Sequence, residues 1–236
     1  MSIINSEISP SEFSQKFLNE GSVVIRNFLK EEYVENLNNF FTSGIPENWW
    51  YSVSYPGTKG FVRYIRNFVE NKSEIEFERK YSEKLFNEGA YTYHFFRTAG
   101  DHYENCSCTE CEFRRWLRSD EIINFLSNLS GFEIKNFSTM FASRYSEGCF
   151  LSPHHDDTLG SIGFVLQLTK DWRPEWGGVL HFLDDNRKVI EYSEVPTFNT
   201  LTLFHIPEGK GKWHYVSHVN PGITSNRIAY SGWYHA

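Results

Sequence analysis

Two textures divide the chain. Up to about residue 132, apolar positions recur at helical spacing and the segments end on glycines. From Glu133 onward, short apolar runs are cut by turn residues at close intervals. Ser9-Pro10-Ser11-Glu12 has the form of a capping box with proline at the first helical position, and Gly21 stops the helix it starts. Val23-Val24-Ile25 is a β-branched run that predicts a strand. Tyr33, Leu37, Phe40 and Phe41 fall at helical spacing in a segment from Leu29 to Phe41 that ends near Gly44. Trp49 to Tyr55 is aromatic and closes on the turn Pro56-Gly57. Ser73 to Phe86 predicts a helix with Gly89 beyond its end, and Tyr91, Tyr93, Phe95 and Phe96 predict a strand. Cys106 to Cys111 reads as a loop insert, and Ser119-Asp120-Glu121 opens a helix through Leu129 with Gly131 as its stop.

The second half predicts strands near 133–145, 149–157, 161–169, 177–184, 188–195, 200–206, 214–219 and 226–235. The breaks are Glu147-Gly148, Leu159-Gly160, Trp176-Gly177-Gly178, Asp184-Asp185-Asn186, Pro207-Glu208-Gly209 and Pro221-Gly222. Short strands in such a series indicate a β-sandwich or barrel. Helices gathered ahead of them predict a helical layer on one face. No repeat, low-complexity run or linker interrupts the pattern. The expectation is one domain over residues 1–236, helical to about 132 and β from about 133.

Composition adds bounds. Of 236 residues, 40% are hydrophobic and 17% aromatic, enough for a core and an aromatic-lined pocket. A net charge of −7 argues against a nucleic-acid partner, although Lys59, Arg63 and Arg66 make a local basic patch. No apolar run has the length of a membrane span, and Met1-Ser2-Ile3-Ile4-Asn5-Ser6-Glu7 lacks the charged and apolar regions of a signal peptide. Four cysteines are too few for a disulfide scaffold in a chain this long. A reduced, cytoplasmic setting without a membrane partner is expected.

The chemistry concentrates at Pro153-His154-His155-Asp156-Asp157. On an extended segment, residues two apart share a face, so His-x-Asp is a natural pair of metal ligands. Two registers exist, His154/Asp156 and His155/Asp157, and spacing does not choose between them. A second imidazole from a distant strand would complete a site of two histidines and one carboxylate, and His214 and His218 are on offer. That donor set leaves metal positions open and suits non-haem Fe(II) oxygenase chemistry. Arg227 opens the strand after His214 and could hold a carboxylate bidentately.

These pieces resemble the 2-oxoglutarate/Fe(II)-dependent oxygenases of the prolyl-hydroxylase-like group (prolyl 4-hydroxylase, SM-20-like). The resemblance runs from Phe150-Leu151-Ser152 into His155-Asp156-Asp157, and through Leu168-Thr169-Lys170-Asp171-Trp172 to Trp176-Gly177-Gly178. It continues over Pro196-Thr197-Phe198-Asn199, Leu203-Phe204, His214-Tyr215-Val216, Arg227-Ile228-Ala229 and Gly232-Trp233-Tyr234. It implies a mainly β fold, a double-stranded β-helix (jelly-roll) core with N-terminal helices on one face. It implies His155, Asp157 and His214 as iron ligands and Arg227 as the anchor for the far carboxylate of 2-oxoglutarate. Tyr145 matches a tyrosine near the cosubstrate, while Gln167 stands where relatives often carry a second tyrosine. The carboxylate at 157 favours hydroxylation over halogenation. The implied reaction consumes O2 and 2-oxoglutarate, releases succinate and CO2, and hydroxylates an unactivated C–H bond, with ascorbate as a supporting reductant. The leading substrate class is a prolyl or other amino-acid residue in a protein or peptide. The alternatives are a free amino acid or natural-product intermediate, or a non-catalytic metal-binding protein of the same fold.

Other clusters carry blander expectations. His218 reads as a structural, partly exposed histidine, and His154 and Asp156 as bystanders. His102, Cys106, Cys108 and Cys111 lie close in sequence, and Cys108-x-x-Cys111 has zinc-ligand spacing. With one such pair and a cramped Cys106-x-Cys108, reduced loop thiols are favoured over structural zinc. Trp49-Trp50-Tyr51 and Tyr91-Tyr93-Phe95-Phe96 read as core before they read as a substrate channel. Trp172, Trp176 and Trp233 read as packing at strand ends, and Arg63, Arg66 and Arg97 as a solvated face.

Overall fold

In the computed structural model, the structure describes residues 2–99, 106–157, 159–207 and 211–236. Five α-helices are α1 (Pro10–Glu20), α2 (Glu31–Asn39), α3 (Lys72–Asn87), α4 (Thr109–Trp116) and α5 (Asp120–Ser130). Twelve strands are β1 (Ser22–Arg26), β2 (Trp50–Tyr55), β3 (Arg63–Arg66), β4 (Tyr93–Thr98), β5 (Asn136–Tyr145), β6 (Phe150–His154), β7 (Ile162–Gln167), β8 (Leu180–Leu183), β9 (Ile190–Glu194), β10 (Thr200–His205), β11 (His214–Val216) and β12 (Arg227–His235). The eight strands expected from Glu133 onward are all present, as β5 to β12. Cys106 to Cys111 is not wholly a loop, because α4 begins at Thr109. Ser9 precedes α1 without a side-chain capping bond, whereas Gly21 ends it in the left-handed region, at φ 69°. There the Gly21 N–H reaches the Phe17 carbonyl.

Every strand pairing is antiparallel, in the order β1-β10-β7-β12-β5-β4-β6-β11-β8-β9, with β2 joined to β4 and β3. The first part of the chain is therefore not a purely helical annex: β1 and β4 lie within this sheet. β4 turns the corner, pairing through Phe96 and Arg97 with β5 and through Tyr93 and His94 with β6. The sheet thus curls, and its concave side collects one face of the core strands. The result is a mainly β, curled antiparallel sheet with helices on its outer side.

Alternation sorts the side chains. On β10, Leu201 and Leu203 turn outward to Phe28, Phe113, Trp116, Ile122 and Leu126 from the helical layer, while Phe204 turns to the concave side. On β12, Arg227, Ser231 and Trp233 face inward, as do Phe141, Ser143 and Tyr145 on β5. Both faces of β10 are covered, which is why it reads as a nearly continuous buried run. Asn199 fixes the helical layer to the sheet. It sits at φ 56°, accepts from the Leu29 N–H at 2.9 Å and donates to the Leu29 carbonyl at 2.8 Å.

Candidate metal and anion site

Inside the curl lies a cavity of about 80 Å³, lined by His154, Asp156, His214, Arg227, Tyr145, Phe95 and other inward side chains. β11 brings His214 against β6, where its cross-strand partner is His154. Ligand atoms of His154, Asp156 and His214 all lie within 4.8 Å of one another. The Nε2 atoms of His154 and His214 approach the Asp156 carboxylate at 3.4 and 3.5 Å.

Backbone carbonyls set both imidazoles. His154 Nδ1 donates to the Ser152 carbonyl at 3.0 Å, and His214 Nδ1 to that of Lys212 at 2.9 Å. With Nδ1 protonated, each Nε2 lone pair points at the centre of the group. Burial, with His154 alongside, pulls the His214 imidazole down to about 4, so it is neutral and able to ligate near pH 7. Burial alone would raise the Asp156 carboxyl. The neighbouring imidazoles of His214 and His154 and the Trp233 indole outweigh it and hold the group well below the usual carboxylate range. Trp233 donates from Nε1 to Asp156 Oδ2 at 2.9 Å, so it orients the carboxylate instead of merely packing a strand end.

The sequence expectation placed His155 and Asp157 beside His214; the structure brings His154 and Asp156 there. The cause is a shift of register between β6 and β11, where Val216 faces Leu151 but His214 faces His154. Counting by twos from the cavity-facing Leu151 would turn His155 inward. The bulge turns His154 inward instead. His155 and Asp157 do other work. Their side chains pair at 3.0 Å, His155 packs edge-on to Trp213 at 4.6 Å, and Asp157 accepts from the Gly211 N–H at 2.6 Å. The pair pins the segment leading into β11, and a Cβ at 211 would stand 2.2 Å from Asp157 Oδ1, so a larger residue there would displace that carboxylate.

Arg227, Tyr145 and Gln167 do come together. Arg227 and Tyr145 are direct cross-strand partners, and the guanidinium lies 4.9 Å from the Tyr145 ring centre. Arg227 Nη2 donates to Gln167 Oε1 at a long 3.4 Å. Its Nε and Nη1 and the Gln167 Nε2 are buried donors without a hydrogen-bond acceptor among the described residues. Burial lowers the Arg227 guanidinium to about 10, which leaves it charged at neutral pH. A buried cation with unmet donors at the wall of a cavity is built for an anion.

The remaining candidates lie elsewhere. His218 stacks on Phe150 at 4.0 Å and meets Phe86 at 4.6 Å, away from the imidazole group. Arg63 pairs with Glu74 and Glu78, Arg66 with the Tyr51 hydroxyl, and Arg97 lies 3.8 Å over the Phe141 ring. Trp50 is buried core, whereas Phe95 lines the cavity and stacks on Tyr145 at 5.3 Å. Trp172 and Trp176 pack edge to face at 5.3 Å, as expected of strand-end residues. His102 and the turn at 208–209 lie outside the described residues. No described helix is long and apolar enough to cross a membrane.

The chain is similar to several known proteins. Residues 140–235 match the family model of the 2OG-Fe(II) oxygenase superfamily, a span that holds His154, Asp156, His214, Arg227, Tyr145 and Gln167. A solved prolyl-4-hydroxylase from Pseudomonas putida is 16% identical, with a TM-score of 0.56 over 96% of this chain and 98% of that one. An oxidoreductase of the 2OG-Fe(II) oxygenase family from Burkholderia pseudomallei is 12% identical, with a TM-score of 0.62 over 98% and 92%. A prolyl hydroxylase from Trichoplax adhaerens, solved with a hypoxia-inducible-factor peptide fragment, is 17% identical, with a TM-score of 0.60 over 95% and 88%. None of the curated proteins matches the chain. The matched span covers the stretch over which the sequence resembles the 2OG-Fe(II) oxygenase superfamily, and these solved neighbours share the fold.

Proposed function

We propose that this chain, whose residues 140–235 carry the 2OG-Fe(II) oxygenase match, hydroxylates a prolyl or other amino-acid residue of a protein or peptide. The observation that carries the reading is one cavity with two kinds of wall. His154, Asp156 and His214 converge at one side, and Arg227, whose Nε and Nη1 donors are unmet among the described residues and which bonds Gln167, stands at another. Two imidazoles and one carboxylate fit Fe(II), and a buried guanidinium with unmet donors fits the far carboxylate of 2-oxoglutarate.

In this reading His154 and His214 offer Nε2 to the metal, and Asp156 offers an oxygen while Trp233 holds its partner oxygen. Arg227 takes the distal carboxylate bidentately, and Gln167 and Tyr145 keep the guanidinium in place. Phe95, Phe141 and Phe204 around the cavity keep water away, which strengthens each electrostatic contact and limits side reactions. Iron and 2-oxoglutarate bound there would supply the oxidising chemistry, turning O2 and the oxo acid into succinate, CO2 and an oxygen atom for the C–H bond. A peptide substrate is supported by the Trichoplax adhaerens neighbour, which was solved with one.

The test measures succinate formed from 2-oxoglutarate with Fe(II) and ascorbate. It is run alone, with proline-containing peptides, and with free amino acids. Peptide-stimulated turnover with a mass gain of one oxygen on the peptide is the expected result. Stimulation by free amino acids alone would move the substrate to the small-molecule class. Bound iron with no succinate under any condition would leave a metal-binding protein of the same fold.

A further inference from the structure

A second group of metal-ligating side chains lies outside that cavity. Cys106, Cys108 and Cys111 stand between β4 and the first turn of α4, and their sulfurs all lie within 4.8 Å of one another. Cys106 is buried. Cys108 is the residue that caps α4, and Cys111 sits in its first turn. Burial and the neighbouring sulfurs push the Cys108 and Cys111 thiols up, so a metal binding there would displace their protons. The Cys108 N–H reaches Cys106 Sγ at 3.5 Å, and the Cys111 N–H bonds to the Cys108 sulfur. Backbone N–H groups directed at sulfur stabilise negative charge there.

The support beneath the sulfurs is fixed. Glu110 Oε1 accepts from Thr98 Oγ1 at 2.6 Å, which ties the helix to the end of β4. Arg114 donates to the Met140 carbonyl at 2.9 Å and to the Tyr230 hydroxyl at 3.1 Å. Arg115 Nη1 donates to the Cys106 carbonyl at 2.9 Å, which holds the first cysteine toward the helix. Once deprotonated, three sulfurs so placed would repel one another unless a cation lay between them, so the cluster accepts charge only together with a metal. Soft sulfur donors on a short Cys-x-Cys-x-x-Cys segment, braced on one helix, select zinc among common divalent ions.

We propose that Cys106, Cys108 and Cys111 bind a structural zinc ion that clips the segment after β4 to the start of α4. This site is separate from the His154–Asp156–His214 group and does not depend on the function proposed for it. The clip holds α4 against β5 and β12, the strands that carry Tyr145 and Arg227.

The experiment counts zinc per chain in the full-length protein after desalting, in three forms: unaltered, His154→Ala, and His154→Ala with Cys108→Ser and Cys111→Ser. One zinc retained in the His154→Ala protein and lost in the triple variant is the expected pattern. Cobalt(II) exchanged into the His154→Ala protein reads the same site without a cysteine substitution, should the triple variant not fold. An intense near-ultraviolet sulfur-to-cobalt band is expected. Protein without zinc and without that band would overturn the proposal. So would zinc that leaves with His154→Ala, which would place the ion in the histidine site. A disulfide between two of these cysteines in protein kept under reductant would overturn it as well.

Discussion

At the residue scale, the proposed metal and anion roles fall on different side chains, so they can be tested separately. His154→Ala, Asp156→Ala and His214→Ala are each expected to abolish iron-dependent turnover, since each removes one of the converging ligand atoms. His155→Ala and Asp157→Ala are expected to keep it, at a cost in the order of the segment before β11 that they pin. Succinate assays across the five variants check this, and an inactive 155/157 pair beside an active 154/156 pair would reverse the register. Trp233→Phe loses only the bond that orients Asp156, so iron affinity should fall about 10-fold to 100-fold. Iron titration followed at constant 2-oxoglutarate measures it. Arg227→Ala should leave iron binding intact and raise the 2-oxoglutarate requirement. Truncating one partner of a buried charged pair costs about 2–5 kcal/mol, or about 30-fold and upward in affinity.

At the element scale, the site depends on how strands are joined to the helical layer. Asn199 does this through two hydrogen bonds to Leu29 from a left-handed backbone. Asn199→Ala strands two buried backbone groups and places an alanine at positive φ. Two unmet buried groups at about 1–3 kcal/mol each predict a loss of about 2–6 kcal/mol, read by chemical denaturation. Asn199→Asp keeps the acceptor and loses the donor, so it should fall between the two. Much of this level was legible in the sequence. The turn residues marked the eight core strands, and Gly21, Gly89 and Gly131 mark helix ends with positive φ. The bulge on β6 was not legible in its effect: Pro153 is compatible with one, but which histidine it turns inward is set by pairing with β11.

At the scale of the whole molecule, the unmet donors of Arg227 and Gln167 and the close approach of three ligand side chains are costs that ligands would relieve. The protein loaded with Mn(II) should gain stability on adding 2-oxoglutarate. At about 100 times Kd the linkage amounts to about 2.7 kcal/mol, a rise in Tm of about 5–10 °C for a chain of this size. Thermal denaturation with and without the oxo acid reads it, and Arg227→Ala should lose most of the rise while keeping that due to the metal. An equal rise in both proteins would mean that the anion binds elsewhere.

The alternation of apolar residues, the turn signals and the His-x-Asp pattern with a later histidine and arginine determined the strand series, the kind of donor set and the buried arginine proposed as the anion anchor. Those features are local or depend only on residue chemistry, so one chain read in order contains them. Which of two adjacent histidines turns inward depended on a bulge in the partner pairing of β6 and β11. That Trp233 reaches Asp156, and that three cysteine sulfurs gather at the start of α4, also followed from contacts between segments. Strand register and helix docking are set by the energy of the whole packed sheet, and no window of sequence carries that sum.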